Sequence, residues 1–149
     1  MPILYTIDPA LNLLYYAAIG DCTGAQFIQA ARQSSLDPLR GQDMLIIFDL
    51  LSMTDLDWGV STLIQGTSYL KEWHAQGHAA EKTAVISRSK FASGLLIDFI
   101  RMASGLAPFQ RVFPRLQSAL LWLGLVDSAY QVENIQASFA EPGKSTPVK

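Results

Sequence analysis

Cysteine is nearly absent from this chain of 149 residues: Cys22 stands alone, which excludes a disulfide framework and most cysteine-based metal sites. Charge is scarce as well. Asp, Glu, Lys and Arg together make up 16% of the residues, with a formal net charge of −2. Nucleic acid is therefore excluded as the main partner, because phosphate binding needs a cationic surface. No apolar run approaches the ~18 residues that span a bilayer, so no transmembrane segment is expected. The opening residues MPILYTID lack the basic end and long apolar stretch of a signal peptide, and the expected location is the cytoplasm. With 10 Gly and 7 Pro the chain is neither low-complexity nor collagen-like. What it has in quantity is hydrophobic residues, at 50%. A chain of this length and composition is expected to bury one sizeable core.

Strand patterns alternate with helical ones. Ile3–Ile7 and Leu13–Ile19 read as strands around the turn residues Asp8-Pro9-Ala10-Leu11-Asn12, and so predict a hairpin. The second is apolar on both faces, as in a strand covered on both sides. Gly20-Asp21-Cys22-Thr23-Gly24 is expected to break it, with Asp21 or Thr23 capping a helix over about Gly24–Ser35 that buries Phe27, Ile28, Ala31 and Leu36. Met44–Phe48 is a short apolar strand, and a crossover helix between two buried strands makes them parallel. A second helix is expected from near Asp57, carrying Val60, Leu63, Ile64, Thr67, Leu70 and Trp73 on one face and ending at Gly77. Thr83–Ser87 reads as the fourth strand, Phe91–Ser104 as the third helix and Gln110–Phe113 as the fifth strand. Pro114 is expected to open a last helix that Gly124 stops. The fold class is α/β: a single domain, with a five-stranded mixed sheet and about four helices. Residues 127–149 are expected to form a flexible C-terminal extension.

A hairpin followed by three strand–helix crossovers resembles the STAS-like (SpoIIAA-like) domain family of uncharacterised bacterial proteins, related to anti-sigma-factor antagonists and to the CRAL-TRIO lipid-binding fold. The resemblance rests on Ile46-Ile47-Phe48-Asp49-Leu50, on Thr83-Ala84-Val85-Ile86-Ser87-Arg88, and above all on Val112-Phe113-Pro114-Arg115-Leu116 running on to Gly124. It spans Ile3 to Leu125 and implies a STAS-like domain over residues 1–126. The function it implies is non-enzymatic: a regulatory interaction domain without a cofactor. In anti-sigma-factor antagonists the loop after the third strand carries an Asp-Ser pair whose serine is phosphorylated. The matching stretch here runs from Asp55 to Ser61 and puts Trp58, which accepts no phosphate, where that serine would stand.

The candidate sites follow from residue chemistry. Asp49, Asp55 and Asp57 come after the third strand, at the end of a parallel sheet where ligands bind. A close pair of them would hold a divalent cation or act as acid and base, or else cap the next helix. With Trp58 and Ser61 they form the first candidate partner surface. His74 and His78 share a helical face, but Ala75 stands where a zinc-protease motif needs glutamate, and no metal is expected. Cys22 is expected to be a buried thiol. Charge is uneven: residues 1–60 hold seven acidic and two basic side chains, residues 61–149 six acidic and nine basic. Arg88 and Arg101 lie in the basic half and suit an acidic partner or an anionic head group. Finally, the third and last helices carry more apolar residues than one buried stripe needs. Leu96, Phe99, Ile100 and Trp122 are the candidate apolar interface, to be covered by a second copy in a homodimer, by a small apolar or lipid-like ligand, by the chain's own tail (Tyr130, Val132, Ile135, Phe139), or by each other. The leading expectation is a self-associating interaction module; the alternatives are a carrier of such a ligand and a carboxylate-based enzyme.

Overall fold

The computed structural model describes residues 3–41, 43–57, 64–65, 68, 82–89, 94 and 110–140. Five strands form one sheet in chain order: β1 (Ile3–Asp8), β2 (Leu13–Thr23), β3 (Leu45–Asp57), β4 (Thr83–Ile86) and β5 (Gln110–Phe113). β1 and β2 are antiparallel, and every later neighbour is parallel, so the sheet is mixed as expected. The hairpin turns on Asn12, whose φ of 52° is a left-handed conformation that asparagine tolerates. Its amide donates to the Pro9 carbonyl, and the Leu11 amide donates to Asp8 Oδ1.

Three α-helices are complete among the described residues, against the four or so expected: α1 (Gly24–Ser35), α2 (Leu116–Leu123) and α3 (Ala129–Phe139). Ile64, Gln65, Ser68 and Gly94 are helical too, but otherwise the second and third expected helices fall outside the described residues, with His74 and His78. α1 begins with a capping box. Thr23 Oγ1 accepts from the Gln26 amide while Gln26 Oε1 accepts from the Thr23 amide. Its buried face is Gly24, Phe27, Ala30 and Ser34; Ile28 and Ala31 are half-buried, and Leu36, expected inside, is 84% exposed because it lies past the last turn. Gly124 stops α2 at φ 75°, as expected.

The sheet is covered on both faces. Leu14, Tyr16, Ala18, Ile46 and Val85 pack with Phe27 and Ala30 of α1 on one side. Leu13, Tyr15, Ala17, Ile47, Ala84 and Ile86 pack with α2 and α3 on the other. The residues alternate because successive strand side chains point to opposite faces. Tyr16 and Tyr15 thus face opposite layers: the Tyr16 ring stacks on Phe48 at 4.5 Å and its hydroxyl bonds Ser34 of α1.

Several boundaries differ from the sequence reading. β2 continues through Gly20 (φ 70°) to Thr23, and β3 runs to Asp57 instead of stopping at Phe48, because the distal halves of the two strands pair with each other. Asp49, Asp55 and Asp57 are consequently strand residues, and the start of the second expected helix falls outside the described residues. Pro114 precedes α2 by two residues and Arg115 takes the N-cap position. The largest difference lies after Val126. A 3-10 turn (Val126–Ser128) leads into α3, whose Val132 and Phe139 are buried in the second core, where a flexible extension was expected. The short polar–apolar alternation of this segment hides a helix that buries only two side chains. If α3 belongs to the core, Phe139→Ala lowers the unfolding free energy by about 3 kcal/mol in urea denaturation, the usual cost of emptying a buried aromatic site. A change below ~0.5 kcal/mol, ordinary for an exposed residue, contradicts that placement.

Candidate functional site

The parallel strands carry one buried carboxylate. Asp49 lies within β3, level with Ala17 on β2 and Ile86 on β4, and is 7% exposed. Three donors hold it. Tyr15 Oη donates to Oδ2 at 2.6 Å, Gln136 Nε2 of α3 donates to the same oxygen at 3.1 Å, and the Leu51 amide donates to Oδ1 at 2.9 Å. The β2–β3 register slips between Ala17 and Ile19, so Asp49 serves a backbone amide at an irregular step of the ladder. Above it the Tyr15 ring stacks on Phe139 at 5.6 Å. Burial first, then the Asp49 charge and the bond to it, push the Tyr15 phenol well above the usual tyrosine range.

Beside Asp49 a half-open cleft of about 340 Å³ runs between the middles of β2 and β3 and the last turns of α3. Small side chains create it: Ala17 next to Asp49 in the sheet, and Ala137 and Ala140 on the helix. Ser52, Glu133 and Gln136 contribute polar groups, and Ile19, Leu51 and Phe139 the larger apolar walls.

Asp49 alone of the three candidate aspartates is in this site. At ~3.3 Å per residue, Asp55 and Asp57 stand roughly 20 Å or more farther along the strand. Both are exposed, and Asp55 Oδ1 accepts from the Leu56 amide. Among the described residues no three His, Cys, Asp or Glu side chains gather as a metal ion would need. Arg88 is exposed, donates from Nε to the Pro114 carbonyl at 3.4 Å, and does not line the cleft. Trp122 is half-buried, its ring 5.5 Å from Phe113, with Lys82 Nζ 5.1 Å above it and bonded to its carbonyl. Trp58, Ser61, Leu96, Phe99, Ile100 and Arg101 lie outside the described residues. Cys22 is buried, and burial raises its thiol pKa. Tyr15, Glu133 and Gln136 were not anticipated. The available signal was an aspartate ending an all-apolar strand run, which needs donors from elsewhere.

Comparison with solved structures decides the architecture. A crystal structure of an uncharacterised protein of the DUF3478 family from Shewanella loihica, described as having a SpoIIAA-like fold, superposes with a TM-score of 0.50. It is 19% identical, over 81% of this chain and 93% of that one. The fold is SpoIIAA-like. The anti-sigma-factor antagonist SpoIIAA in its unphosphorylated form also matches, at 12% identity and a TM-score of 0.46 over 81% of this chain and 96% of its own. No protein-family model and no curated protein matches by sequence. Within the described residues of this SpoIIAA-like domain, no helix is long and apolar enough to cross a membrane.

The SpoIIAA-like sheet thus carries a three-donor carboxylate and two tyrosines that resist ionisation. Burial, aided by the bond to Asp37 at 2.8 Å, pushes Tyr5 up to about 12. A phenol whose folded pKa lies above its unfolded value near 10 stabilises the fold below pH ~10 and loses that contribution as pH rises further. Wild-type protein is therefore expected to lose stability above pH ~10, and Tyr15→Phe to flatten that loss. Chemical denaturation at a series of alkaline pH values reads this; equal slopes for the two proteins would contradict it. Near pH 7, Tyr15→Phe is expected to cost about 2 kcal/mol, in the range of a hydrogen bond to a charged group.

Proposed function

We propose that this SpoIIAA-like domain is a non-enzymatic regulatory module that works through protein contacts and associates with a second copy of itself. The observation that carries the proposal is the outer surface of the α2–α3 corner. Leu121 is 73% exposed, Val126 54% and Tyr130 74%, and they fall on α2, the 3-10 turn and the start of α3 in succession. Single exposed apolar residues are ordinary, but several large ones on adjoining elements mark a contact surface. Fold likeness supports the regulatory reading. Against an enzyme stands the chemistry of Asp49, whose carboxylate is engaged by Tyr15, Gln136 and the Leu51 amide in bonds that fasten the structure. The exposed Asp55 and Asp57 are proposed as a second surface for partner contact, and Trp58 and Ser61, which follow them in sequence, lie outside the described residues.

Sedimentation velocity across a concentration series tests self-association. Wild-type protein is expected to sediment as a dimer, and Leu121→Asp, at an exposed position, to weaken the dimer by roughly tenfold or more without lowering the melting temperature. A monomer at every concentration, or a dimer indifferent to Leu121→Asp, contradicts this surface.

A further inference from the structure

We infer that the cleft beside Asp49 is a binding site for a small alkylammonium group. Its charge is the first reason. Asp49 and Glu133 line it, and among the described residues no Lys, Arg or His does. The second reason is what Asp49 lacks. This nine-tenths-buried carboxylate is held by a phenol, a carboxamide and a backbone amide, all neutral, and has no ion pair among the described residues. Neutral donors fix its position but leave its charge uncompensated, and a buried charge favours a counter-charge of matching geometry. A carboxylate offers about four acceptor positions, so three donors leave room for one more.

The shape of the cleft sets the rest of the ligand. About 340 Å³ lies at the small end of the ~300–1,000 Å³ typical of ligand sites. Ile19, Leu51 and Phe139 offer a hydrocarbon surface, and the methyl groups of Ala137 and Ala140 leave the opening. An ammonium at Asp49 and Glu133 with a short alkyl chain along those walls satisfies both. An anionic head group meets like charge there, and Arg88 is not at hand to offset it. This inference is independent of self-association.

The test uses n-hexylammonium as probe, with 1-hexanol and hexanoate as neutral and anionic controls, titrated calorimetrically into the full chain near pH 7. Hexylammonium is expected to bind saturably and roughly tenfold or more tighter than hexanol, as a charge-assisted hydrogen bond provides, while hexanoate does not bind. Ala137→Leu fills the cleft from an exposed helix position and is expected to abolish binding with the melting temperature unchanged; Glu133→Gln weakens it severalfold. Repeating the titration on Leu121→Asp keeps the outcome separate from self-association. A lysine-containing peptide that binds with the same sensitivity to Ala137→Leu would assign the ammonium to a protein side chain; its failure beside hexylammonium binding would assign it to a free amine. No saturable uptake of hexylammonium by folded wild-type protein, equal affinity for hexanol, or full binding by Ala137→Leu overturns the inference.

Discussion

A carboxylate in the middle of a parallel sheet has to be surrounded by donors, and much of this domain can be read from how Asp49 meets that requirement. The nearest donors along the sheet come from Tyr15 and the Leu51 amide; the third must come from the layer above. Gln136 supplies it, so the carboxylate links residues far apart in the chain and ties α3 to the strands. Phe139 completes the attachment by stacking on the Tyr15 ring whose hydroxyl makes the bond. The polar bond and the aromatic contact together tie α3 to β2 and β3, with Val132 buried in the same core.

The same logic operates on the opposite layer with different chemistry. Tyr16, next in β2, turns to α1 and bonds Ser34 there. Two consecutive tyrosines therefore fix helices on both faces of one strand, an arrangement that period-two geometry makes available wherever a strand is buried twice. Tyr5 adds a tie at the edge through Asp37, just after α1. Packing sets the layers of this sheet, and tyrosine hydroxyls set their positions. On the α2–α3 side the apolar residues exceed what the sheet takes up, and Leu121, Val126 and Tyr130 stay exposed, the surface proposed above for self-association.

Local patterns predicted local structure well. The double-faced run Leu13–Ile19, the Thr23 cap, Gln110–Phe113 and the stop at Gly124 are each decided by neighbours in sequence, and each stands where sequence placed it. Long-range pairing was not visible. Asp55 and Asp57 look like loop residues until Cys22 and Thr23 of β2 are laid alongside, whereupon their alternation with Leu56 makes a strand. The site suffered most from this. Asp49 stood out as a polar residue ending an apolar run, but its partners come from 34 residues before and 87 after, and no local rule connects them. Val132, Ile135 and Phe139 were legible as a cover for apolar surface but not as a helix, because Val132 and Phe139 are two full turns apart, with little but polar or half-buried residues between.

Native-state hydrogen exchange measures the central link most directly, since it reads the opening of α3 and of β2 residue by residue. If Asp49 holds α3 to the sheet, the amides of Val132–Phe139 and the Leu51 amide exchange only through openings close in free energy to those of β2, and Asp49→Asn drops α3 protection selectively while β2 keeps its own. Rapid exchange throughout α3 in the wild-type chain, or α3 protection indifferent to Asp49→Asn, would contradict the account.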